Sequence, residues 1–545
     1  MKYKKAFHFF SCLLGVALCP LQAHAAHADY VIVGVGTAGA VVAKKLSDDK
    51  KTSVVALHGG YNFNEVPVIK NSSGAVVTVP GTLGGPPLAD TGLGVPQPNA
   101  DDRRIAWVIP LPEGGGTAVN AGAYCRGTNE LYAKWEKIAG SKWSVERITE
   151  VYKELENYHG KTHNPDARGH HGPLSIRQVL NPSKVADVFT KAEIRATGFP
   201  FVLDYNDPKT PIGTSSQLQY TQSGHDRKYR VSSATAFLNE EVMTPKGHGV
   251  NGRKLRVLFN SRGLRSIWKG NKAIGVEYVQ NGQNKKIFAK KGVIVCAGLR
   301  SSPFLMYSGV GPQALLESFQ IPVIYNNPNV GQGLADQPSL RMLFSSNRND
   351  ISLDPNGLFT QISWLPVPGG NKRIRELRAA TITQTPGTTA FLLDLCQPRS
   401  RGSVTINSAD PLSPPVVDLG LLTNPKDLST FQKGLQVYVK AINKAIQRID
   451  PAYKLIFPDP AILDDIDLVT DFIEEVIESN QHFQSHCRMA SRHKGGVVDS
   501  RGRVYGVKHL IVADNSVVPQ CMDGSPMATA YLIGANIADM IIEGE

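Results

Sequence analysis

The segment HFQSHCRM (482–489) sets two imidazoles four residues apart, His482 and His486, with Cys487 and Arg488 directly behind them. Read alone, it offers a metal clamp, a catalytic base with a neighbour, or packed polar residues, and it does not choose among them. A metal would need both rings on one helical face and one or two further ligands at usual spacing, and no nearby acid or cysteine pair supplies these.

A second stretch with chemistry in it is DYVIVGVGTAGAVVAKKL (29–46). Tyr30 to Val33 read as a buried parallel strand, residues 38–46 as a helix with small residues facing the sheet, and Val54 to Leu57 as the next strand. Between strand and helix, Gly34, Gly36 and Gly39 form G-x-G-x-x-G, followed by Thr37 and Ala38 at the helix start. Glycines there permit a tight turn and close backbone approach, and a helix N-terminus meets a pyrophosphate. The pattern predicts a Rossmann-like dinucleotide site. An acid at the end of the second strand normally accepts hydrogen bonds from the adenosine ribose; this chain has His58. Neutral imidazole can still accept one such bond, without the charge. These residues alone allow either flavin or nicotinamide.

The elements around these motifs have room to bury a large core. With 545 residues and 41% hydrophobic content, the chain has the size of two to four domains. Residues 1–25 differ from the rest: Lys2, Lys4 and Lys5 precede a short apolar run that ends in small residues at Ala23 and Ala25. That is the pattern of a secretory signal peptide cleaved near Ala25, and the run is too short for a stable membrane anchor. The mature protein is therefore expected to be secreted or periplasmic, with a bacterial envelope favoured because only one glycosylation sequon occurs, at Asn71. Losing three lysines lowers the net charge from +12 to +9. No long block of like charge accompanies it, so no nucleic-acid partner is expected. Five cysteines remain, at 125, 296, 396, 487 and 521, scattered as neither a disulfide framework nor a Cys-x-x-Cys metal site. No metal is expected.

Distant segments supply the missing context. GGGTAVNAGAYCRG (114–127), AGLRSSPFLMYSGVGP (297–312), NVGQGLADQP (329–338), PRSRGSVTINSADPLSPPVVD (398–418) and HLIVADNSVVP (509–519) run collinearly over nearly the whole mature chain. Together they resemble the signatures of the glucose–methanol–choline (GMC) family of FAD-dependent alcohol oxidoreductases. NAGAY is similar to the branch that contains plant hydroxynitrile lyases.

The resemblance implies an α/β fold, with a Rossmann-like FAD-binding domain at 29–160, 230–315 and 475–545. A substrate-binding cap on an antiparallel sheet would take 161–229 and 316–474, its first segment an irregular covering stretch. FAD is the implied cofactor. Gly115, Gly116 and Thr117, with Asn120, Ala121, Gly122 and Ala123, would surround the isoalloxazine, where side chains would clash. Val257 would meet the adenine through its backbone. Asp514, with Pro526 and Met527 at the start of a C-terminal helix, would close the flavin site. Laid on the family's late motif H-P-A-G-T-x-R-M, the opening segment places His482 beside the flavin as catalytic base, with His486 a supporting or packing residue. Ser525 falls where the family sets a second histidine or asparagine.

The implied reaction is oxidation of a small alcohol at CH–OH, with oxygen or a quinone-type compound as electron acceptor. A cyanohydrin lyase on the same FAD scaffold, or a weakly active or inactive flavin-binding homologue, are the competing readings. Three departures motivate the last: His58 for the ribose acid, IPLPE (109–113) for R-G-K-x-L, and Ser525; Gln337 also stands for the histidine of D-H-P.

Overall fold

The computed structural model describes residues 26–62, 88–223, 229–346, 358–385 and 387–544; the expected signal peptide and the Asn71 sequon lie outside them. The glycine-rich opening folds as its pattern requires. Strand Ala26–Val33 pairs in parallel with Val54–Leu57 on one side and with Gln283–Val295 on the other. Helix Thr37–Ser47 crosses between the first two strands. Leu255–Leu258 and Leu510–Val512 extend the sheet in parallel at its two flanks. The turn signals KGN and NGQ make the antiparallel run Ser261–Lys269, Lys272–Gln280 and Gln283–Val295. Strands buried on both faces explain the near-continuous apolar runs VIV, VVAL and VIV. Helix Met527–Ile542, apolar around almost its whole circumference, packs on helix Thr37–Ser47.

A second, antiparallel sheet runs in the order Tyr453–Phe457, Pro338–Ser346, Thr388–Leu395, Leu377–Thr385, Phe359–Leu365 and Gly213–Ser215. The short strand Glu478–Ser479 pairs with Pro338–Ser339 at its edge. The chain thus enters His482 directly from this second sheet. Behind the sheet lie helix Lys184–Thr197 and the run Pro425–Lys433, Gly434–Val439 and Lys440–Ile449, whose middle segment is π-helical. Their apolar faces form one core with the sheet, including Phe189, Phe344 and Phe391.

One sequence expectation is corrected here. Segment 161–229 is not an irregular covering stretch: it holds the 14-residue helix Lys184–Thr197 and strands Leu174–Gln178 and Gln219–Ser223. Local signals mark that helix, with Ser183 accepting from the Ala186 N–H and Gly198 left-handed at its end. The buried polar residues Thr190 and Glu193 break its apolar stripe and hide the period.

Candidate active site

A cavity of about 800 Å³ lies between the two sheets. Its first wall is the glycine turn. Gly34 has φ +99°, and a Cβ there would fall 2.3 Å from the Cys296 carbonyl oxygen, so the turn excludes any side chain. Helix Thr37–Ser47 starts at Gly36 with no side-chain cap and no acid in its first turn. Its free N–H groups and partial positive charge are left for an anion. The second glycine loop meets the first: Gly115, with φ +55°, would carry a Cβ 2.9 Å from the Cα of Gly36, and nothing lies within 4 Å of one on Gly116. Two bare backbones therefore face the cavity.

Gly34, Gly36, Thr37, Ala38, His58, Gly115, Gly116 and Asn120 to Ala123 line the cavity, as do His482, Asp514, Ser525, Pro526 and Met527. Three expected residues do not. Gly39 sits under the turn, where a Cβ would meet the Gly34 carbonyl at 2.0 Å. Thr117 pins the loop instead, donating to the Gly114 carbonyl (2.7 Å) and accepting from the Ser233 N–H (2.9 Å). The N–H of Val257 is committed to the Gly247 carbonyl at 2.8 Å. Glu113 is buried outside the lining, so it does not obstruct the cavity. Asp514 lines the wall while its carboxylate accepts from Gly298 N–H, Ser301 Oγ and both donors of Ser516, which makes it a brace between the strand ends. Asn120 ties its loop to the C-terminal helix, donating to the Met527 sulfur at 3.2 Å and accepting from the Gly122 N–H.

His58 is buried, with Nε2 2.9 Å from the Leu111 carbonyl oxygen. A carbonyl only accepts, so Nε2 carries the proton and Nδ1 presents a lone pair. Burial lowers the ring's pKa to about 4, so it stays neutral. That lone pair is available where the family sets its ribose acid, and the residue that fixes it is Leu111 of the divergent IPLPE segment. A pyrophosphate seat, an acceptor for ribose and bare glycine walls fit FAD.

His482 is half-buried and follows Gln481, which is left-handed at φ +61°. Gln481 is held there by its own side chain, which accepts from Val108 N–H and donates to the Ala106 carbonyl, both at 2.8 Å. From behind, Ala335 and Gln484 exchange backbone hydrogen bonds, and Asp336 accepts from the His482 N–H at 2.9 Å. His482 Nδ1 lies 2.7 Å from Gln337 Oε1. The Gln337 amide nitrogen faces the carbonyls of Cys396 (2.7 Å) and Met522 (2.8 Å), so Oε1 must accept and Nδ1 must donate. This leaves Nε2 unprotonated and without a partner among the described residues. Burial, and then the charge of Arg378, lower the pKa of the ring to about 3.

His486 does not reach the cavity. Its Nδ1 lies 2.9 Å from Ser302 Oγ, in the core under the site. Among the described residues, no three His, Cys, Asp or Glu side chains gather as metal ligands.

The cap sheet adds residues that the motifs did not reveal. Arg378, on strand Leu377–Thr385, lines the cavity, donates to Ser525 Oγ at 2.6 Å and pairs through Nε with Asp394. Asn480, two residues before His482, donates to the other Asp394 oxygen at 3.0 Å. The available signal was an arginine within the otherwise apolar run LRAATI.

These features agree with what the chain resembles. The GMC oxidoreductase family matches residues 28–339 in its N-terminal part and 398–534 in its C-terminal part. An uncharacterized GMC-type oxidoreductase of Mycobacterium tuberculosis is 30% identical, covering 94% of this chain and 99% of its own. The alcohol dehydrogenase [acceptor] of Pseudomonas putida is 26% identical, covering 94% and 95%. Among solved structures, pyridoxine 4-oxidase from Mesorbium loti superposes with a TM-score of 0.84 at 22% identity, over 95% of this chain and 99% of that one, which shows the shared fold. With the family signatures, the two sheets and the FAD-compatible cavity in agreement, the chain belongs to the GMC oxidoreductase family and is an FAD-dependent oxidoreductase.

Proposed function

We propose that this protein, exported and processed near Ala25, oxidises the CH–OH group of a small alcohol with His482 as the base. The observation that carries the reading is the tautomer of His482, fixed by Gln337 so that the lone pair lies on Nε2 of a ring that lines the cavity. A general base must be unprotonated and within reach of the proton it takes. Burial and the charge of Arg378 keep the ring neutral, which meets the first condition.

When bound between the glycine walls and His482, FAD would supply the two-electron acceptor for the carbinol hydride. The protein's own residues do the rest. The glycine walls admit the ring system at close range, and the start of helix Met527–Ile542, which has no acid in its first turn, favours negative charge beside Pro526 and Met527. His482 takes the hydroxyl proton at Nε2, and Ser525 holds the alcohol oxygen. Phe359, Ile382 and Leu392 give the cap side an apolar surface suited to the substrate's carbon skeleton. An acceptor of the oxygen or quinone type then takes the electrons onward.

Anaerobic mixing of the purified protein with a panel of alcohols tests this reading through bleaching of the flavin band near ~450 nm. His482→Ala is expected to slow bleaching by about 10²–10⁴-fold while flavin content stays the same. An unchanged rate removes the base assignment, and cyanohydrin cleavage without bleaching removes the redox reading. N-terminal sequencing of the exported protein is expected to begin at Ala26.

A further inference from the structure

Arg378 is 5% exposed, yet it forms part of the cavity wall. Its Nε is committed to Asp394 and one Nη to Ser525 Oγ, while the other Nη makes no hydrogen bond among the described residues. A buried guanidinium in a cavity wall with an idle donor is expensive unless a ligand completes it. Ser525 is set up in the same sense. Its oxygen accepts from Arg378, so its own hydrogen is left for another acceptor. The neighbouring Cys125 sulfur is only a weak one.

We propose that Arg378 and Ser525 together form an oxyanion site, which holds the substrate oxygen as His482 removes its proton. The proposal deepens the proposed function and rests on it. Proton and charge balance in the step: the hydroxyl proton passes to Nε2, and the electron pair left on oxygen becomes the second C–O bond as the carbinol hydride departs to FAD. Serine alone would be a poor substitute for the cation or amide that the family places here, because it carries no charge. With Arg378 donating into it, the hydroxyl is polarised by a full positive charge in a water-poor setting, where such groups act most strongly.

The charge has two opposite effects. It makes His482 harder to protonate, and by the same Coulombic argument it makes a nearby hydroxyl easier to deprotonate. Asp394, itself held by Asn480, fixes the guanidinium through its Nε. Arg378 would thus touch substrate directly through its idle Nη and indirectly through Ser525.

The test compares benzoate with its neutral isostere benzamide as probes of the holoenzyme, each titrated by perturbation of the flavin spectrum. Wild type is expected to bind benzoate at least about tenfold more tightly than Arg378→Gln, with benzamide affinity unchanged within about threefold. The limiting rate of flavin reduction by a neutral alcohol is expected to fall by about 10²–10³-fold in Arg378→Gln, with little change in alcohol affinity. Equal benzoate binding by the two proteins, or parallel losses of benzoate and benzamide, would overturn the proposal. Should Arg378→Gln fail to fold because Asp394 is left unpaired, Ser525→Ala keeps the ion pair and carries the test. It is expected to weaken benzoate and slow reduction, and wild-type values for both would overturn the site. His482→Ala is expected to lose bleaching and keep benzoate binding. A wild-type enzyme that discriminates benzoate through Arg378 but is bleached by no alcohol would therefore sink the proposed function and not the anion site.

Discussion

Gln337 Oε1 and His482 Nδ1 lie 2.7 Å apart, and the proton between them belongs to the imidazole. It belongs there because the amide nitrogen of Gln337 is committed to two main-chain carbonyls and cannot turn. The residue that departs from the family's D-H-P pattern is therefore the one that sets the tautomer of the candidate base.

Gln337→Leu tests that coupling. With no acceptor, the imidazole loses its fixed tautomer, and flavin reduction should slow by about 10–10²-fold with flavin content unchanged. Combined with His482→Ala, the loss should be no greater than that of His482→Ala alone, since Gln337 acts only through the ring. Stopped-flow reduction of the three variants checks this, and additive losses would exclude a positioning role.

The buried histidines make the fold sensitive to acid. Burial lowers the pKa of His58 to about 4 and those of His482 and His486 to about 3, against 6.5 for each when unfolded. Between those values the unfolded chain binds protons that the folded chain refuses, so the stability these three histidines contribute is complete above pH 6.5 and is lost as pH falls toward 3. Thermal melting should decline below about pH 6. His486→Gln, away from the cavity, should make the decline shallower; an unchanged slope would show that His486 is not part of it.

At the ribose end the structure predicts against the family's own residue. His58 Nε2 donates to the Leu111 carbonyl at 2.9 Å. His58→Asp would set two acceptors against each other there, so it should bind FAD more weakly than wild type. His58→Ala should also bind weakly, having no acceptor for the ribose. Titration of apoprotein by quenching of flavin fluorescence measures both, and tighter binding by His58→Asp would show that Leu111 does not dictate the residue.

Gly115→Ala should lose bound flavin. Its φ of +55° and the 2.9 Å approach of a Cβ to the Gly36 Cα force the two glycine loops apart. Strain of about 1–3 kcal/mol at that position falls on the cavity wall itself. The ratio of flavin to protein absorbance reports it, and full occupancy would mean that the loops have slack.

How much of this was legible in the chain depended on how far apart the partners lie. The glycine turn and its helix, the triple-glycine loop, the antiparallel run after Leu255 and the C-terminal helix each follow from local period and turn residues, and all appear where the sequence predicts them. The family signatures brought His482 to the cavity wall and set His486 apart from it. Long-range partners were not legible: His58 meets Leu111 across 53 positions, His482 meets Gln337 across 145, and Arg378 meets Ser525 across 147. Local sequence was enough to mark which segments could form a nucleotide-binding wall and which imidazole could stand beside it, because those properties reside in backbone freedom and side-chain type within a few residues. The proton on each ring and the charge on the opposite wall emerged with the folded chain, because a hydrogen bond depends on which atoms the fold brings within about 3 Å of each other.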